Sequence, residues 1–190
     1  MKVCTVQLKS ATAYSQSKKV DDDIFPRLEK ESVGDYDLRL WREKATVNGD
    51  GIVCLPAMGL KMAVDEAVKR LNIKVAERGK STYTKYFVAG QICDGDVPIG
   101  IAKDDLDYID IWANADGVRG SGKRVKRRFP YIKAWQGIAT FHILDDMIPR
   151  AVFEKALTEA GRLVGIGRFR PEKGGLLGRF VATSFDWQEI

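Results

Sequence analysis

The chain is poor in the residues that most often do covalent or metal chemistry: 190 residues hold one histidine, His142, and three cysteines. Cys4, Cys54 and Cys93 are far apart, odd in number and set among apolar neighbours. That spacing excludes a disulfide framework and a paired-ligand zinc site, and predicts buried, reduced thiols. His142 sits between Phe141 and Ile143 in a strand-like run, where a satisfied interior or edge histidine is expected; it is a weak catalytic candidate, and no partner can be named for it. Asp21, Asp22 and Asp23 lack the further spaced ligands and the glycine of a calcium loop, so they read as a solvated acidic turn. No metal and no cofactor is expected. No apolar run approaches the roughly 18 residues that span a bilayer, and the N-terminus has no signal-peptide core. A soluble, cytoplasmic protein without a membrane partner is expected.

What is present is a core and a cationic surface. With 45% hydrophobic and 30% charged residues the chain has the means for one good core, hence one domain over 1–190 with sizeable insertions, at about 11–50 and about 94–130. The formal net charge of +5 favours an acidic partner where the cations concentrate. They concentrate twice. The segment Arg119-Gly120-Ser121-Gly122-Lys123-Arg124-Val125-Lys126-Arg127-Arg128-Phe129-Pro130-Tyr131 has no acidic residue and reads as a flexible basic loop; its cations suit phosphates, and Phe129, Tyr131 and Trp135 suit stacking on bases. Gly117 to Lys123 has the spacing of a phosphate-binding P-loop, but Arg124 stands where Ser or Thr must hold magnesium, which argues against nucleotide hydrolysis.

The second concentration is the turn from Gly165 to Phe180, where Gly165, Gly167, Gly174, Gly175 and Gly178 are interleaved with Arg168, Arg170, Lys173 and Arg179. Glycines permit positive φ and close backbone approach, and the cations supply charge opposite to phosphate. A dinucleotide-binding loop runs from strand to helix; this one runs from helix to strand, with Arg170 where the third glycine belongs, so a Rossmann site is not expected.

Periodicity supplies the rest. Val3–Leu8 alternates as a strand, and the apolar run Ile52–Leu55 ends at Pro56. Leu60, Val64, Ala67, Val68 and Leu71 then predict an amphipathic helix from about Ala57 to Asn72. Tyr83–Ile92 reads as a strand from its aromatic and β-branched residues, and Tyr108–Trp112 as a short one. Ala134–Leu144 reads as a strand, Ile148–Leu163 as a helix with Pro149 in its first turn, and Arg179–Phe185 as the closing strand. The core order strand, helix, strand, strand, helix, strand is the split βαβ layout. The fold class predicted is α+β, ferredoxin-like, the layout shared by RNA-recognition modules.

Two segments carry a family resemblance. The turn from Gly165 to Phe180 resembles the glycine-rich loop that joins the second helix to the last strand in the RAMP superfamily, the ferredoxin-like RNA-binding backbone subunits and RNA-processing enzymes of CRISPR systems. Leu55-Pro56-Ala57-Met58-Gly59-Leu60-Lys61 is similar to the backbone subunits' opening of the first helix. The departures are Ala57 and Met58 where the family usually has Ser, Met62 where Gly often follows the lysine, and Pro171 inside a lengthened turn; they mark a divergent, solitary member of the kind a phage or mobile element carries. The resemblance implies a non-enzymatic protein that binds single-stranded RNA or DNA, RNA preferred, and lines up along it as a homo-oligomer or filament, with CRISPR effector subunits as further partners. The residues expected at that site are Lys61, Arg119, Lys123, Arg124, Lys126, Arg127, Arg128, Phe129, Tyr131, Gly165, Gly167, Arg168, Arg170, Lys173 and Arg179. Two alternatives stay open: a metal-independent endoribonuclease using His142, and a mimic that blocks assembly of a CRISPR complex.

Overall fold

The alternation at the start of the chain builds a strand, β1 (Lys2–Ser10), with Cys4, Val6 and Leu8 buried and Gln7 and Lys9 in solvent. The computed structural model describes residues 1–114 and 122–190. After β1 come β2 (Tyr14–Ser15), α1 (Val33–Leu40), β3 (Ile52–Leu55), α2 (Ala57–Leu71), α3 (Thr84–Gly90), β4 (Gln91–Cys93), β5 (Val97–Ala102), β6 (Asp107–Asn114), β7 (Arg124–Ile132), β8 (Gln136–Ile143), α4 (Arg150–Glu159) and β9 (Phe180–Glu189). The architecture is mixed α+β. A four-stranded sheet has the order β4-β8-β1-β9, a three-stranded sheet the order β2-β7-β6, and β3 pairs with β5.

In the larger sheet every neighbour is antiparallel, and Cys4 opposes Phe141 on β8 and Trp187 on β9. Because side chains alternate across a strand, Val6, Leu8, Ala139, Phe141 and Ile143 all fall on one face and are buried, together with the apolar stripes of the helices. α2 contributes Leu60, Ala63, Val64, Ala67 and Val68, and α4 contributes Phe153, Ala156 and Leu157. The two helices pack on each other. The opposite face of the sheet carries Thr5, Gln7, Ile138, Thr140 and His142. Among the described residues its register places no Phe, Tyr or Trp there, the residues that form the stacking platform of an RNA-recognition sheet.

Two expectations about elements need correction. Tyr83–Ile92 is not a strand throughout: Thr84–Gly90 is the helix α3 and only Gln91–Cys93 is extended. Tyr83, Tyr86 and Phe87 are spaced three and four apart, and the buried Phe87 stacks on Phe153 with ring centroids 6.4 Å apart. The spacing, not the β propensity of those residues, decided the local structure. The basic segment is not a loop from Arg124 onward but the strand β7, central in its sheet. Its cations stay folded into a strand because Asp110 on β6 and Asp37 on α1 meet them. Arg119, Gly120 and Ser121, and Gly117 of the P-loop spacing, lie outside the described residues.

Candidate nucleic-acid interface

The glycine turn begins where α4 winds through a wider π turn, Ala160–Val164, into Gly165 at φ 71°. Gly167 and Gly178 also have positive φ, 74° and 81°. A Cβ on Gly167 would strike the Tyr14 ring and the Ser15 carbonyl oxygen, and one on Gly178 the Ile166 carbonyl oxygen. Several N–H groups are likewise spent inside the protein: Arg168 donates to Ser15 O (2.8 Å), Gly178 to Ala13 O (2.7 Å) and Leu177 to Phe169 O (3.0 Å). The glycines therefore press the turn against β2 instead of opening its backbone to a ligand. What the turn presents outward is its side chains.

Three adjoining depressions run past it. One, of about 460 Å³, lies between α2 and the turn and is lined by Gly59, Met62, Lys69, Arg170 and Lys173 among others. The next, of about 490 Å³, is lined by Gln16, Ser17, Lys18, Pro56, Gly167, Arg168 and Arg170, with no acidic side chain on its wall. The third, of about 370 Å³, takes Lys18, Lys19, Arg27, Lys44, Arg127 and Arg168, together with Asp22 and Asp37. Gly59, Gly167 and Arg170 belong to both the first and second, and Ser17, Lys18 and Arg168 to both the second and third. The depressions thus join into one furrow walled by segments far apart in the chain; the second and third carry the excess positive charge, while in the first Asp65, Glu66 and Glu172 stand against Lys69, Arg170 and Lys173.

Phe129 organises the cations of the third depression. It is 1% exposed, with the Arg168 guanidinium 3.7 Å, the Lys44 ammonium 4.1 Å and the Arg127 guanidinium 5.8 Å from its ring centroid. α1 delivers the one carboxylate at the centre: the buried Asp37 meets Lys44 Nζ at 2.6 Å and Arg127 at 2.8 Å, and accepts the Arg128 backbone N–H at 2.9 Å. Burial pulls the Asp37 carboxyl upward, but the bonds from Arg127 and Lys44 outweigh it and hold the group below its usual range. Burial pushes the Lys44 ammonium down to about 8 even with Asp37 beside it, and lowers Arg168 too, where Arg127 adds repulsion. Arg168 has no carboxylate partner among the described residues: it donates to Ser17 Oγ at 3.3 Å, and its buried Nε has no acceptor. A half-buried guanidinium left unpaired is costly to the free protein and receptive to an anion.

A search of solved structures finds chains of similar fold. A chain of the Type III-B Cmr-beta structure, determined by cryo-EM bound to cognate target RNA, superposes with a TM-score of 0.52 at 10% identity, over 98% of this chain and 60% of that one. This chain is similar in fold to that Cmr-beta chain. It spans about 60% of the length of the Cmr-beta chain. Weaker likenesses are to Cmr6 from Pyrococcus furiosus (TM-score 0.44, 16% identity, 96% of this chain and 99% of that one) and to a chain of a CRISPR RNA-guided surveillance complex (0.40, 14%, 94% and 66%). No protein-family model matches the chain. No curated protein matches it either.

The expected site residues divide. Gly165, Gly167, Arg127, Arg168, Arg170 and Lys173 converge on the furrow; Arg170 and Lys173 both pair with Glu172, at 2.8 and 2.7 Å. Lys61 does not reach it: its ammonium is held by Asp65 and by the Val88 carbonyl oxygen. Arg128 is committed to Asp110 through two bonds of 2.7 and 2.9 Å and lies 3.6 Å over the Tyr108 ring. Lys126 shares Asp110, Arg124 donates to the Trp112 carbonyl oxygen and Arg179 to that of Arg162. Lys123 and Tyr131 line none of the three depressions. Phe129, with Trp135, is buried and closed to a base, which corrects the stacking role expected of both.

Lys18, Lys19, Arg27 and Lys44 are furrow residues that sequence reasoning missed. The Lys18-Lys19 pair beside Ser17 was the one available signal; Lys44 has none, because only folding sets it against Phe129. His142 lies on the open face of the large sheet with Nε2 3.4 Å from Asp94 Oδ2, and lines none of the depressions. The three cysteines are unpaired, and burial first, then nearby carboxylates, pushes the Cys93 thiol up to about 12, far from a thiolate nucleophile at neutral pH. Among the described residues no helix is long and apolar enough to cross a membrane.

Proposed function

We propose that this chain binds single-stranded nucleic acid, RNA in preference to DNA, with the phosphate backbone in the furrow beside the glycine turn. The observation that carries the reading is Arg168: a half-buried guanidinium with no carboxylate partner among the described residues, on the shared wall of two depressions. Such a cation gains most from a phosphate that replaces its lost hydration. Lys18 and Lys19 extend the charge along the third depression. We read the sheet order β4-β8-β1-β9, with α2 and α4 on one face, as a single ferredoxin-like domain whose insertions, about 11–50 and about 94–130, supply the outer cations. The fold likeness to a chain from an RNA-bound Cmr-beta structure agrees with this role and with copies lining up along a strand or joining CRISPR effector subunits. His142 receives no part in it, so the reading is of a binding protein and not a nuclease.

The test is a fluorescence-polarisation titration of labelled oligouridine and of the matching deoxyoligonucleotide. Arg168→Glu combined with Lys18→Glu is expected to weaken binding at least about tenfold, and to flatten the plot of log affinity against log salt by about 0.7 for each phosphate no longer neutralised. Unchanged affinity and slope in the folded double variant would overturn the proposal.

A further inference from the structure

The third depression differs from the other two in how its charge is held. Lys44, Arg127 and Arg168 are gathered on one buried ring with Asp37 as the single carboxylate among them, which leaves an excess of two positive charges in a half-buried place. The other acidic side chain on the wall, Asp22, accepts the Tyr36 hydroxyl at 2.8 Å. Lys19 and Arg27 stand exposed at the rim, where they draw anions in. An internal phosphodiester carries one negative charge, whereas a phosphomonoester carries about 1.5 to 2 at neutral pH. The desolvated cluster therefore matches the charge of a strand end better than that of a strand interior. Its position agrees: it adjoins the second depression through Lys18 and Arg168 and shares no residue with the first, so it terminates the row.

We infer that this depression is a terminal-phosphate pocket, which seats the phosphomonoester at one end of a bound strand; the inference rests on the binding role proposed above. Arg168 is the hinge of the arrangement, since its planar fork takes two phosphate oxygens where a point charge takes one.

The experiment compares three oligouridines of one length, labelled at an internal position: hydroxyls at both ends, a 5′-phosphate, and a 3′-phosphate. One of the phosphorylated strands is expected to bind the wild-type protein about tenfold tighter than the hydroxyl-ended strand, the scale of one set of charge-assisted hydrogen bonds. Arg168→Gln is expected to erase that gain, and so is Lys19→Gln with Arg27→Gln at the exposed rim, which serves if the first variant does not fold by circular dichroism. Equal, measurable affinity for all three strands would overturn the pocket and leave the binding role standing. A gain that survives in the folded variants would overturn its placement here. No affinity for any strand would overturn both readings.

Discussion

At the level of single residues, Asp37 decides whether the cation cluster is tolerable. It is buried, 3% exposed at its side chain, and faces Lys44 and Arg127 at once. Asp37→Asn keeps the shape and removes the charge, leaving the buried Lys44 and the partly buried Arg127 without a counterion. Urea denaturation is expected to show a loss of about 3–5 kcal/mol, the cost of breaking a buried pair. Acid acts on the same bonds. Arg128 above all, against a smaller upward pull from burial, holds the Asp110 carboxyl at about 2, and Asp37 also lies below its ordinary value. Over the interval from the ordinary carboxylate range near 4 down to about 2, the unfolded chain binds more protons than the folded one, so stability falls as pH falls. The melting temperature is expected to drop most between about pH 4 and about pH 2, and less steeply in Asp110→Asn, which has lost one of the titrating pairs; equal slopes in both proteins would refute the assignment.

Among elements, the glycine turn makes the sharpest claim. Gly167→Ala sets a methyl group into the Tyr14 ring and the Ser15 carbonyl at a positive φ, while Gly174→Ala meets open space at nearly the same φ, 79°. The first is expected to cost on the order of 3 kcal/mol and the second about 1 kcal/mol, read from denaturation midpoints; equal costs would mean that backbone strain alone, not the approach to β2, fixes these glycines. α2, α4, β1, β8 and β9 were legible in the sequence because each buries a periodic stripe on one layer. β7 was not, because the carboxylates that let Lys126, Arg127 and Arg128 sit in a strand come from Asp37 and Asp110, distant along the chain. α3 was hidden by aromatic residues whose strand propensity outweighed their three-and-four spacing. The turn's own Arg168 and Arg170 could be picked out locally; Lys44 could not, since nothing near it in sequence distinguishes it from a solvated lysine.

For the whole molecule, the net charge of +5 says less than its distribution. Much of the cationic sequence is neutralised in place: Lys61 by Asp65, Arg128 and Lys126 by Asp110, Arg170 and Lys173 by Glu172. The reversal of Arg124 and Lys126 to Glu, on the β6–β7 hairpin, is accordingly expected to change affinity for oligouridine less than about threefold, against at least about tenfold for the furrow variant, because exposed pairs away from the ligand contribute little; a larger effect of the hairpin variant in the same titration would relocate the interface. The furrow's walls include residues 16–19, 27, 44, 56–69, 127 and 165–173, so no short fragment of the chain contains it. A strand that binds there recognises only the completed protein, and at a hundred times its dissociation constant it shifts the unfolding equilibrium by about 2.7 kcal/mol. On the proposed binding role, oligonucleotide uptake doubles as an assay of the native fraction in any preparation.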